Sequence, residues 1–238
     1  MALLRTAADE TALAELAAAR LVELITAAIE RKNAAVLSLT GGGTPKRLYE
    51  LLAGPPWRDR VAWDRVHLYW GDERCVPPDH ADSNFGMARD ALVAHVPLPP
   101  SQVHRMRGEL EPAEAAREYE RALPQRFDVM LLGLGEDAHI ASIFPGSPVL
   151  HERTARVAAP WAPHLQAFRI TLTPPALLAS DRIVMLVAGS SKADAVSAAI
   201  EGGYDPERWP AQLLRQADDR LEWLIDRAAA RALSAPPA

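Results

Sequence analysis

A single cysteine, Cys75, occurs in the 238 residues. A disulfide within the chain is therefore impossible, and no cysteine cluster is present to hold zinc. A lone thiol fits a reducing cytoplasm, which is the expected location. As a nucleophile Cys75 would need a base beside it, so it reads as an ordinary packed or surface thiol. No stretch approaches the roughly 18 apolar residues of a spanning helix, so no membrane segment is expected. The alanine-rich start is interrupted by Arg5, Asp9, Glu10 and Glu15, which leaves no apolar core for a signal peptide. The tail Ala235 to Ala238 is expected to fray. No basic run occurs and the net charge is −5, so no nucleic-acid partner is expected. An acidic chain binds an anionic metabolite only through a local positive site, built from a few Arg, Lys and backbone N–H groups.

What is present is a large apolar fraction, 49%, with 24% charged residues. That suits one globular domain spanning residues 1–238. Leu13, Leu16, Leu21, Leu24 and Ile25 recur at helical spacing and predict a helix over 8–32. Short apolar runs at 35–39, 66–70, 127–132, 168–172, 183–187 and 221–225 read as strands. Helical patterns fall after 44, over 82–94 and 112–123, at 174–179, from 192 to 200, and at the alanine-rich end. Pro-rich stretches at 54–56, 97–100 and 160–163 read as loops. Continuous apolar strands alternating with helices imply an α/β, mainly parallel sheet covered on both faces.

Ligands of such sheets sit beyond the carboxyl ends of the strands. Four polar or glycine-rich segments fall there. In the first, Gly41, Gly42, Gly43 and Thr44 let the backbone approach a ligand, with Thr44 as N-cap and Pro45 in the first turn of a helix. The partial positive charge of a helix N-terminus makes this a phosphate or carboxylate cradle. No Gly-Lys-Ser/Thr follows, so it is not a Walker loop. The second segment offers Arg74 for phosphate oxygens, with Asp72 or Glu73 to orient it or to bind a sugar hydroxyl. In the third, Gly133-Leu134-Gly135-Glu136-Asp137-Ala138-His139, a carboxylate lies two residues from an imidazole. His139 can accept a proton from water near neutral pH, and Asp137 can fix its tautomer. The fourth supplies Lys192 as a point charge. Ser142 lies near His139 but lacks a Gly-x-Ser-x-Gly elbow. His139, His151 and His164 lack metal-ligand spacing, so no metal is expected.

These segments, with Ser83-Asn84, Ser142-Ile143-Phe144-Pro145-Gly146 and Arg169-Ile170-Thr171-Leu172-Thr173, resemble the 6-phosphogluconolactonases over nearly the whole chain, in the family's order. The resemblance implies a Rossmann-like fold shared with glucosamine-6-phosphate deaminases. It implies hydrolysis of 6-phospho-D-glucono-1,5-lactone without an organic cofactor, in the oxidative pentose phosphate pathway. It makes His139 the general base with Asp137 beside it. The glycine loop, Arg74 and Lys192 would hold the phosphate, with Arg169 assisting. A phosphosugar lactone is then the sole expected partner, and the chain is expected to be a monomer. Two departures stand out: Glu136 where relatives carry Pro, and Ala138 where they carry Gly. Ala138 is expected to hold φ below zero or accept strain, and Glu136 to face solvent. The deaminases carry Glu before the Pro and Tyr after the Asp-Glu pair. Phe144 and Arg74 stand there in this chain and favour the lactonase over a deaminase. The intact Asp137–His139 pair favours it over a non-catalytic sugar-phosphate-binding protein.

Overall fold

The computed structural model describes residues 2–234. The tail expected to fray, Ala235 to Ala238, lies outside them. The chain opens with β1 (Leu3–Ala7), which the sequence reading missed, and α1 (Glu10–Lys32). Asp9 caps α1 through the backbone N–H of Ala12, and Asn33 closes it in the left-handed conformation. Then follow β2 (Ala35–Leu39), α2 (Gly43–Leu52), β3 (Val66–Trp70), β4 (Asp72–Arg74), α3 (Asn84–Ala91), α4 (Pro112–Ala122) and β5 (Phe127–Leu132). The second half holds β6 (Val157–Ala158), β7 (Trp161–Ala162), β8 (Ala167–Leu172), α5 (Pro174–Leu178), β9 (Ser180–Val187), α6 (Ala193–Ile200), β10 (Leu221–Asp226) and α7 (Arg227–Ala230). Among the described residues no helix is long and apolar enough to cross a membrane.

Six strands form one sheet in the order β1-β10-β9-β5-β2-β3, with every neighbour parallel. Successive residues of each strand point to opposite faces, and both faces are buried. Leu37, Val129, Leu131, Val184 and Leu224 pack under α1, α2 and α3. Met130, Leu132, Ile183, Met185 and Trp223 pack with Tyr119, Leu177 and Val196 on the other side. Burial on both faces is why the strands read as mainly apolar runs and not as alternating ones.

Three expectations are corrected. The segment 167–172 is not part of the parallel sheet. It is the centre of a small antiparallel sheet, pairing with β4, β6 and β7. Residues 72–74, read as a polar segment at the sheet's edge, form β4 of that second sheet. The Pro-rich stretch 160–163 contains β7 and is not purely loop.

The order of the large sheet reverses between β2 and β5. From β2 the chain moves outward to β3, whereas from β5 it moves to β9 on the opposite side. The loops leaving β2 and β5 therefore part and leave a crevice at the carboxyl ends, where such folds bind ligands.

Candidate active site

A cleft of about 260 Å³ fills that crevice. Gly41, Gly42, Gly43, Thr44, Asp72, Arg74, His139 and Lys192 all line it. All four segments singled out in the sequence thus contribute to one cavity.

The glycine loop starts from a fixed point. The buried hydroxyl of Tyr49 accepts from Thr40 N–H at 3.0 Å and donates to Thr40 C=O at 2.9 Å. Tyr119 grips the end of β3 in the same way, through the N–H and C=O of Trp70. At Gly41 a Cβ would lie 1.9 Å from Asn84 Oδ1, so only glycine fits against that side chain. Gly42, at φ 108, is the true N-cap of α2, without a side-chain cap. Thr44 is therefore inside the first turn and not the N-cap expected. The uncapped first-turn N–H groups have no intrahelical partner, which suits an anion in the cleft.

On the β5 side of the crevice His139 lines the cleft and is paired with Asp137. His139 Nδ1 lies 2.6 Å from Asp137 Oδ1, which also accepts the His139 backbone N–H at 3.2 Å. With Nδ1–H donating to the carboxylate, Nε2 is left as the free base; the tautomer follows from the hydrogen bond. Burial opposes ionisation of Asp137, but the hydrogen bond and charge of His139 outweigh it. They hold its pKa down at about 2. Gly135 gives the pair room: a Cβ there would meet His139 Nδ1 at 2.0 Å and Asp137 Oδ1 at 2.5 Å. The ring of Phe144 packs against the imidazole at 4.6 Å between centroids, and His164 meets the Phe144 ring edge-on at 4.5 Å.

Two residues of this loop behave differently from each other. Glu136 faces solvent, as expected. Ala138 takes φ 61 while fully buried, so it accepts the strain. A left-handed alanine costs about 1–2 kcal/mol relative to the right-handed region. Ala141, at φ 49, repeats the feature on the other side of His139. Strain of this kind concentrates where a side chain has to be aimed.

The acidic pair after β3 separates into two roles. Glu73 is 2% exposed and turns away from the cleft. It accepts the N–H groups of Asn84 and Phe85 at 2.7 Å each, and that of Arg74 at 2.8 Å, so it holds the start of α3. Burial pushes its pKa up against those hydrogen bonds. Neither acid orients Arg74, contrary to expectation: the guanidinium donates to Asp82 C=O. Arg169 does not line the cleft; it faces Arg74 in register across β4 and β8. Burial, together with the neighbouring charge of Arg74, lowers its pKa. Among the described residues neither Arg74, Arg169 nor Lys192 forms an ion pair with a carboxylate, so their charge is available to an anion.

Lys192 ends a short 3-10 turn after Gly189, whose φ is 94. The Gly189 N–H rests on the carboxylate of Asp226, which also caps α7. Ser142 is not a nucleophile: it is 1% exposed and its hydroxyl is committed to Asp72. Sequence reasoning named neither Asn84 nor Ser142 as a site residue. The one available signal was their inclusion in the segments that carry the resemblance.

Fold and cleft define an α/β enzyme whose crevice brings Arg74 and Lys192 into the same cavity as a carboxylate-held histidine. The chain belongs to the glucosamine-6-phosphate isomerase/6-phosphogluconolactonase family, whose model matches residues 8–223. It is 41% identical to the 6-phosphogluconolactonase of Mycobacterium tuberculosis, over 94% of this chain and 96% of that one. The solved 6-phosphogluconolactonase of Trypanosoma brucei is 26% identical and matches with a TM-score of 0.85, covering 98% and 99% of the two chains. A monomeric glucosamine-6-phosphate deaminase is 25% identical, with a TM-score of 0.84 over 97% and 99%.

Proposed function

We propose that this protein hydrolyses 6-phospho-D-glucono-1,5-lactone to 6-phosphogluconate, the lactone-opening step of the oxidative pentose phosphate pathway. The observation that carries the reading is the placement of the Asp137-held imidazole and an uncapped helix N-terminus in one cleft. The helix N-terminus, Arg74 and Lys192 hold the phosphate, and Arg169 adds positive potential from beside Arg74 on β8. Anchored at that end, the substrate presents C1 to His139.

His139 Nε2 takes a proton from water as the water oxygen bonds to C1. The tetrahedral oxyanion collapses, the bond from C1 to the ring oxygen breaks, and the imidazolium returns the proton to that oxygen. Asp137 stabilises the imidazolium in between. Acid–base catalysis of this kind contributes roughly 10²–10⁴-fold, and anchoring the phosphate adds orientation. Deaminase chemistry is disfavoured because Phe144, not a carboxylate, packs against His139.

The test is lactone decay, generated in situ from glucose 6-phosphate, with and without the protein. Acceleration by the unmodified chain and not by His139→Ala is the expected result. Decay at the spontaneous rate with the unmodified chain would refute the reading. Phosphosugar binding without turnover would point to a sensor, and ammonia release from glucosamine 6-phosphate to a deaminase.

A further inference from the structure

Among the described residues that line the cleft, Asp72 is the one carboxylate. Asp72 is 8% exposed and lines the cavity, yet forms no ion pair among the described residues. Its Oδ2 accepts the hydroxyl of Ser142 at 2.6 Å, and its Oδ1 accepts Asn84 Nδ2 at 3.3 Å. A carboxylate offers about four acceptor directions, so roughly two remain for the cleft. An acceptor-only group repels a phosphate, whereas it suits a sugar hydroxyl. The carboxylate therefore matches the ring of the substrate and not its phosphate end.

What aims Asp72 is Ser142. Asp72 and Thr171 are register partners across β4 and β8, and Ser142 docks on both. Its N–H donates to Thr171 Oγ1 at 3.1 Å, and its hydroxyl reaches Asp72. Thr171 is itself fixed, donating to Leu172 C=O at 3.0 Å. Ser142 lies on the catalytic loop three residues after His139. The left-handed Ala141 between them turns Ser142 inward while His139 faces the cleft. One short hydrogen bond thus sets the position of a hydroxyl acceptor relative to the base.

We propose that Ser142 is a positioning residue for lactone hydrolysis: its hydroxyl orients Asp72 to accept a ring hydroxyl of the substrate, so that C1 is seated against His139. This rests on the lactonase reading above. The experiment is a double-mutant cycle with Ser142→Ala and Asp72→Asn, reading kcat and KM on 6-phosphogluconolactone and the thermal midpoint of each protein. Ser142→Cys, of similar size and a weaker donor, is run beside them. Losing a hydrogen bond to a charged group predicts a fall in kcat/KM of about tenfold or more for Ser142→Ala. Ser142→Cys falls in between and carries the cycle should Ser142→Ala fail to fold. In the Asp72→Asn background the same Ser142 change should cost less than about threefold, because the partner is already gone. An equal cost in both backgrounds, or a Ser142 variant within about twofold of the unmodified enzyme, would overturn the positioning role while leaving the lactonase reading intact. No turnover by the unmodified chain would remove that reading, and this inference with it.

Discussion

His139 and Asp137 share a 2.6 Å hydrogen bond across a two-residue step of one loop, and Gly135 is the residue that leaves them space. The pair is local in sequence, but its usefulness depends on the cleft it faces. Asp137 fixes which imidazole nitrogen is free, so removing its charge should act on chemistry more than on binding.

Asp137→Asn is therefore expected to lower kcat by about 10²-fold or more with little change in KM. Steady-state kinetics on the lactone, corrected for spontaneous hydrolysis, checks this. Comparable losses in kcat for Asp137→Asn and His139→Ala would fit one acting unit.

The same carboxylate gives a signed pH effect. Its folded pKa, about 2, lies below an unfolded value near ~3.9. The stability it contributes is thus fully present above about pH 4 and is lost as pH falls through about 2. The difference in thermal midpoint between the unmodified protein and Asp137→Asn should shrink across that window. A difference that stays constant from pH 6 to pH 2 would contradict it.

Gly135→Ala should remove activity almost as completely as His139→Ala, because its Cβ overlaps both members of the pair. Inorganic phosphate should still bind in the cleft, since the glycine loop follows β2 and not β5. Calorimetric titration with phosphate separates the two effects.

Ala138→Gly removes a fully buried methyl, which on burial alone would cost about 0.8 kcal/mol. Relief of the left-handed backbone, about 1–2 kcal/mol, offsets that loss and glycine's added chain entropy. The expected change in unfolding free energy is within about 1 kcal/mol of zero. Ala138→Val, β-branched at φ 61, should be severely destabilising. Chemical denaturation measures both.

Arg74→Ala and Lys192→Ala should each raise KM by about tenfold or more and leave kcat within a few-fold, as loss of uniform phosphate binding does. Inhibition by inorganic phosphate should weaken in parallel. A loss confined to kcat would move either residue from the phosphate to the reacting carbon.

The parallel sheet was legible in the sequence because strands buried on both faces are mainly apolar: β2, β3, β5, β9 and β10 each contain a short apolar run, interrupted at positions such as Asp128 and Glu222 that pair with Arg31 and Arg20. The Asp137–His139 pair and the glycine-rich start of α2 were legible too, since their parts lie within a few residues of one another. Tertiary structure alone decided the rest. β1 pairs with β10 at the far end of the chain, and its short half-exposed run, Leu3–Ala7, carries little signal of its own. Asp72 and Glu73 are adjacent and chemically alike, yet one lines the cleft and the other holds α3, because successive residues of β4 point to opposite sides. Ser142 meets Asp72 across 70 residues of chain, a contact that no spacing rule encodes. It exists because β4 and β8 pair in a second sheet and bring Asp72 and Thr171 into register beneath the loop that carries His139. Local hydrogen bonds and burial periodicity are properties of neighbouring residues and can be read from order. The direction of a carboxylate in a shared cavity depends on which distant segments close around it.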